Sequence, residues 1–113
     1  MTTQTTARPE RLDAYRLAVE FHRQLPEIPR GSGLGDQLAR ASASVALNLA
    51  EGLGRSSNRD RARFFEIAKA SAMECQAALD LIPGVPDEAR RLVRRLVQTT
   101  SGLWARQSQR SAR

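Results

Sequence analysis

The chain has 113 residues, 41% of them hydrophobic and only 4% aromatic, with 18 Lys+Arg against 12 Asp+Glu for a formal net charge of +6. That length fits one domain with a real but small core, and a core of small aliphatic side chains suits packed helices better than a β-sandwich. A single cysteine, Cys75, excludes an intramolecular disulfide, and no apolar run approaches the roughly 20 residues of a membrane span.

Residues 1–8 are polar and read as a disordered N-terminus. The first helix is expected over residues 9–25, opened by Pro9 in a position where a first turn tolerates proline. Leu12, Tyr15 and Val19 line one apolar flank, and Leu17, Ala18, Phe21 and Leu25 line another. This arc is wider than one bundle face requires, so a second contact surface and an oligomer are expected. Pro26, Pro29, Gly31 and Gly33 break the chain before a second helix over 34–53, whose core stripe is Leu34, Leu38, Ala41, Val45 and Leu49. Gly52 and Gly54 supply the stop, and Ser56, Ser57 and Asn58 are candidate N-caps for the third helix.

The third helix carries a coiled-coil-like seam of Phe64, Ala68, Ser71, Cys75, Ala78 and Ile82, ended by the Pro83–Pro86 turn. The fourth opens at Pro86 with Asp87 and Glu88 placed against its dipole, and its seam runs through Ala89, Val93, Leu96, Thr100 and Leu103 to Trp104. Residues 107–113 read as a basic flexible tail. Four apolar stripes joined by short connections predict an all-α, antiparallel up-down four-helix bundle over 9–106.

Catalytic chemistry finds little support. His22 is the only histidine, and no nucleophile-elbow motif or clustered set of metal ligands accompanies it. No enzyme, cofactor or metal is therefore expected. Cys75 falls on the seam, where a thiol behaves as a small hydrophobe. The Gly52–Ser57 segment superficially resembles a phosphate loop, but it follows a helix and lacks the Gly-Lys-Ser/Thr ending, so a plain turn is expected.

Two polar constellations remain. Arg40, Ser44, Asn48, Glu51 and Arg55 form a stripe on the second helix; with Arg63 and Glu74 from the third, these residues are expected to make a structural ion-pair and hydrogen-bond network. The other is Arg90, Arg91, Arg94 and Arg95, four arginines within two turns opposite the seam of the fourth helix, extended by Arg106, Arg110 and Arg113. The charge is uneven: residues 1–60 hold 8 Arg and 7 acids, whereas residues 61–113 hold 10 Lys+Arg and 5 acids. A basic half points to an anionic partner such as nucleic acid, although a solvated face eased by Asp87 and Glu88 would read the same.

The run Gln37-Leu38-Ala39-Arg40-Ala41, continued by Asn48-Leu49-Ala50-Glu51-Gly52 and Gly54-Arg55-Ser56-Ser57, resembles the bacterial family of 23S rRNA intervening-sequence proteins. Arg63-Phe64-Phe65, Ala68 and Ser71-Ala72-Met73-Glu74 look like the continuation of that pattern; Ala70 departs from it, standing where the family usually has glycine. The resemblance implies a four-helix bundle that assembles into a homopentamer. It extends more distantly to the accessory variability proteins of diversity-generating retroelements, which implies nucleic acid and a reverse transcriptase, or another protein, as candidate partners. Two readings stay open: a cytoplasmic, non-catalytic oligomeric scaffold that binds RNA or DNA, and a protein–protein assembly module with no nucleic-acid role. Neither involves a membrane.

Overall fold

A computed structural model of the chain describes residues 8–27 and 33–112. Four helices account for nearly all of them: α1 (Pro9–Arg23), α2 (Gly33–Leu53), α3 (Asn58–Leu81) and α4 (Asp87–Ser111). No strand occurs among the described residues. The expected disordered N-terminus lies outside them apart from Arg8, and so do Pro29 and Gly31 of the expected breaker. Among the described residues no helix is long and apolar enough to cross a membrane.

The starts of α1, α3 and α4 each have a local cause. Pro9 opens α1, as its fixed φ and missing N–H allow. Ser57 is the cap of α3: its backbone is extended and its Oγ accepts the amide of Asp60 at 3.1 Å, satisfying one of the orphan first-turn donors. Ser57→Ala is expected to destabilise the protein by about 1 kcal/mol, read as a lower urea midpoint with unchanged slope. The turn into α4 contains Gly84 at φ +75°, a conformation that a Cβ would strain. Pro86 sits at the cap of α4 rather than inside it, with Asp87 and Glu88 in the first turn.

The helices pack as a closed ring in which α1 touches α2 and α4, and α3 touches α2 and α4, with the α2–α3 contact the most extensive. The core is mostly aliphatic around two phenylalanines: Ala14, Leu17, Ala18 and Phe21 of α1 meet Leu38, Ala41, Val45 and Leu49 of α2; Phe65, Ala68, Ala72, Cys75 and Leu79 of α3; and Leu92, Val93, Leu96 and Leu103 of α4. Among the apolar residues of the expected α1 arc, Leu17, Ala18 and Phe21 are buried, whereas Tyr15 stays exposed and Leu12 and Val19 are half-buried.

Two expectations need correction. The α3 seam is buried at Ala68, Ser71, Cys75 and Ala78 as expected but differs at its ends: Leu79 is fully buried while Ile82, the C-cap, packs half-buried against the core, and Phe65, not Phe64, enters the core. The reason lies on α2, where Gly52 leaves a gap that the Phe65 ring fills. A Cβ at Gly52 would stand 2.5 Å from the Phe65 Cε1. Residues 107–111 are also not a tail, because α4 continues to Ser111 and Gln107 is buried. Gln107 extends the seam Ala89, Val93, Leu96, Thr100 and Leu103 by one further step of four, so the core register, not the charge of the segment, sets the helix end.

Candidate functional site

The outer face of α4 carries the four arginines expected there, because its apolar positions turn inward at 4-3-4-3 spacing and leave residues 90, 91, 94 and 95 opposite. Their environments differ. Arg90 is half-buried and reaches back to α3, its Nη1 3.3 Å from Asp80 Oδ1 and its Nη2 3.3 Å from the Leu79 carbonyl oxygen. Arg91 pairs with Glu88 one turn earlier, Nη2 to Oε2 at 2.7 Å, and this hydrogen bond raises its pKa above the ordinary arginine value. Arg94 and Arg95 are exposed and form no ion pair among the described residues. Two of the four are thus held by local acids and two are free to meet an external anion.

Arg106 is exposed, and its guanidinium lies over Gly102, where a Cβ would come 3.2 Å from Nη1. Arg110 is half-buried near the end of the helix. Twenty residues separate Arg90 from Arg110, about 30 Å along a helix, so the expected basic set divides between the two ends of α4. Between them Lys69 of α3 stands over the Trp104 ring, Nζ 4.1 Å from its centroid, a cation–π contact.

The expected network of Arg40, Asn48, Glu51, Arg55, Arg63 and Glu74 does not form as one unit. Asn48 donates to the Ser44 carbonyl at 2.8 Å and Ser44 shares a 2.8 Å hydrogen bond with Ser71, which links α2 to α3 through small polar groups. Glu51 pairs with Arg55 at 2.8 Å, both largely exposed, so the pair contributes at most about 1 kcal/mol. Arg63 does not meet Glu51. It lies over the Phe64 ring, as does Arg55, each 4.7 Å from the centroid. Arg40 and Glu74 are exposed and make no ion pair among the described residues.

His22 Nδ1 lies 2.6 Å from Ser42 Oγ, and Ser42 Oγ donates to the Ala39 carbonyl at 3.0 Å. The hydroxyl carries one proton, so when it is given to the Ala39 carbonyl the imidazole is the donor from Nδ1–H. The pair ties α1 to α2. Among the described residues no group of three His, Cys, Asp or Glu side chains is placed to hold a metal.

A group not anticipated from the sequence lies where α1, α3 and α4 meet. Arg11 of α1 is 6% exposed, and its Nη2 donates to Gln107 Oε1 of α4 at 2.9 Å. Gln107 donates in turn to Asn58 Oδ1 at 2.9 Å, and Asn58 Oδ1 also accepts Arg61 Nη1 at 3.1 Å. The signal was present in the register. Arg11 stands at a 3-4-3 step with Ala14, Ala18 and Phe21, so a polar residue occupies a seam position in α1 just as Gln107 does in α4.

Four packed helices, with four arginines on the outer face of α4, define an all-α helical-bundle protein. The sequence profile of the family described as "23S rRNA-intervening sequence protein" matches residues 11–86, and the chain belongs to that family. A search of curated proteins returns no match.

Proposed function

We propose that this protein is a non-catalytic oligomeric scaffold, an up-down antiparallel bundle that binds nucleic-acid phosphates through its basic surface beside a protein partner. The observation that carries the reading is the exposed, acid-free pair Arg94 and Arg95 on the outer face of α4, in a chain of net charge +6. Arginine suits phosphate through its paired donors. With no aromatic side chain interleaved among residues 90–95, base stacking has no platform there, and sequence-independent binding is expected. A cytoplasmic setting fits such a partner.

Each phosphate contact contributes roughly 0.7–0.9 to the log–log salt dependence of binding. Replacing Arg94 and Arg95 together by Gln is expected to weaken binding to duplex DNA and structured RNA alike and to flatten that slope by roughly 1.5. Arg90→Gln with Arg91→Gln should flatten it less, because those side chains are already engaged. Wild-type protein that binds neither polymer at low salt would refute the reading.

Exposed apolar side chains favour assembly in either case. Leu47 is 65% exposed on α2 beside Ala50 and Gly54, and Tyr15 and Val19 border a shallow recess on α1. We propose that these faces are covered by further copies of the chain, five in all by the family resemblance. Light scattering after size exclusion tests this, and a monomer mass at micromolar concentration would overturn it. If nucleic-acid binding is absent while the oligomer forms, the assembly-module reading replaces the scaffold.

A further inference from the structure

The end of the bundle where α1 and α3 begin and α4 finishes gathers Arg8, Arg11, Arg61 and Arg110. None of the four takes part in an ion pair among the described residues. The acceptors they use are neutral: Arg11 bonds the Gln107 amide, and Arg61 bonds Asn58 Oδ1 and the Arg55 carbonyl. Arg61 Nε is buried without any acceptor. A buried guanidinium ordinarily has a counter-charge, since desolvating an unpaired ion costs several kcal/mol.

Electrostatics at this end run the same way. Burial is the largest influence lowering the Arg11 pKa to about 10, followed by the fields of Arg61, Arg8 and Arg110. Glu10 is the smallest influence and the one carboxylate among them. Arg11 still carries its full charge at neutral pH. The N-termini of α1 and α3 add positive dipole ends, while Arg110 in the last turn of α4 offsets the negative end of that helix. Two guanidiniums held only by neutral acceptors, a buried N–H without an acceptor and two helix N-termini, whose first-turn carboxylates Glu10 and Asp60 form no ion pair among the described residues, make a setting suited to an anion with several acceptor oxygens. Phosphate supplies these more fully than carboxylate, with three or four oxygens to meet divergent donors.

We infer that this bundle end, built from Arg8, Arg11, Asn58, Arg61, Gln107 and Arg110, is a phosphate-binding site, distinct from the exposed α4 face of Arg94 and Arg95. The phosphate is either a free ion or a phosphate group of a nucleic acid; the chemistry of recognition is shared.

The test is thermal unfolding of the full chain in about 50 mM sodium phosphate against sodium chloride at matched ionic strength, a rise of roughly 5 °C being expected for wild type. Phosphate also stabilises proteins by exclusion from their surface, so the deciding quantity is the difference between variants. Arg11→Met, which keeps the buried stem and removes the charge, should lose most of the phosphate-specific rise. Arg61→Gln, at a half-buried position that tolerates the change more readily, should reduce it. Arg94→Gln with Arg95→Gln should leave it intact, which separates this site from the proposed nucleic-acid face.

A short oligonucleotide carrying a 5′-phosphate, compared with its 5′-hydroxyl counterpart, identifies the source. Stabilisation by the phosphorylated form beyond the hydroxyl form assigns a nucleic-acid end; stabilisation by inorganic phosphate alone assigns the free ion. Equal rises in phosphate and chloride, or a phosphate rise undiminished in both Arg11→Met and Arg61→Gln, would overturn the site. So would a larger rise with a Glu-rich peptide than with phosphate, which would make it a dock for a protein carboxylate.

Discussion

Phe65→Ala is expected to destabilise the bundle by about 3–5 kcal/mol, a large share of the roughly 5–15 kcal/mol by which a small domain is stable. Phe65 is 1% exposed and is one of the two largest fully buried side chains, the other being Phe21. Its ring fills the gap that Gly52 leaves on α2, at the most extensive helix contact of the fold. Removing it opens a cavity between two rigid backbones that cannot collapse fully.

The reciprocal change carries the argument further. Gly→Ala inside a helix normally stabilises by about 1 kcal/mol, yet Gly52→Ala is expected to destabilise by about 1–3 kcal/mol, because the new methyl would overlap the Phe65 ring. Gly102→Ala supplies the contrast. Its Cβ would meet only the mobile end of Arg106, so the ordinary helical gain should return. Placing Gly52→Ala in a Phe65→Leu background should cost less than it does in wild type, a coupling that a double-mutant cycle in urea measures. Additive effects would mean that the two residues do not meet.

The second large effect is on the alkaline side of the stability profile. Cys75 is fully buried, and burial, assisted by the Glu74 carboxylate, pushes its thiol from an ordinary 9.0 up to about 12. Between these values the unfolded chain releases the proton and the folded chain keeps it. Stability contributed by the neutral thiol is therefore complete below about pH 9 and declines as pH rises toward 12. The slope is about 1.4 kcal/mol per pH unit within that window, approaching roughly 4 kcal/mol at its upper end. Cys75→Ala carries its own constant packing loss but lacks the titration, so the stability gap between the proteins should narrow steadily from about pH 9 upward. Parallel profiles would show that the thiol does not titrate differently in the two states. At pH 8 a disulfide reagent should leave Cys75 unlabelled in the native protein and modify it fully in denaturant.

Local chemistry made much of the fold legible. Pro9, Ser57 and Pro86 mark helix starts through backbone rules that act within one turn, and the stripes Leu38, Ala41, Val45, Leu49 and Val93, Leu96, Thr100, Leu103 announce buried faces because helical periodicity is local. The arginines at 90, 91, 94 and 95 share one face for the same reason. What periodicity could not decide was which phenylalanine of α3 enters the core. Phe64 and Phe65 are adjacent and equally apolar, and the choice between them rests on the space at Gly52, in a different helix. Nor could it decide which arginines are free. Arg90 and Arg94 look alike in the chain, but only the position of Asp80 on α3 turns one of them inward.

The bundle-end cluster shows the same division most clearly. Arg11 and Gln107 are separated by 96 positions, and each alone is a polar residue that happens to fall on a seam. Four helices must close into a ring before Arg8, Arg61 and Arg110 come near the buried Arg11 at one end of the bundle. Charge repulsion and desolvation are properties of that end rather than of any segment, so the chain determines its residues and the tertiary structure alone determines that they meet.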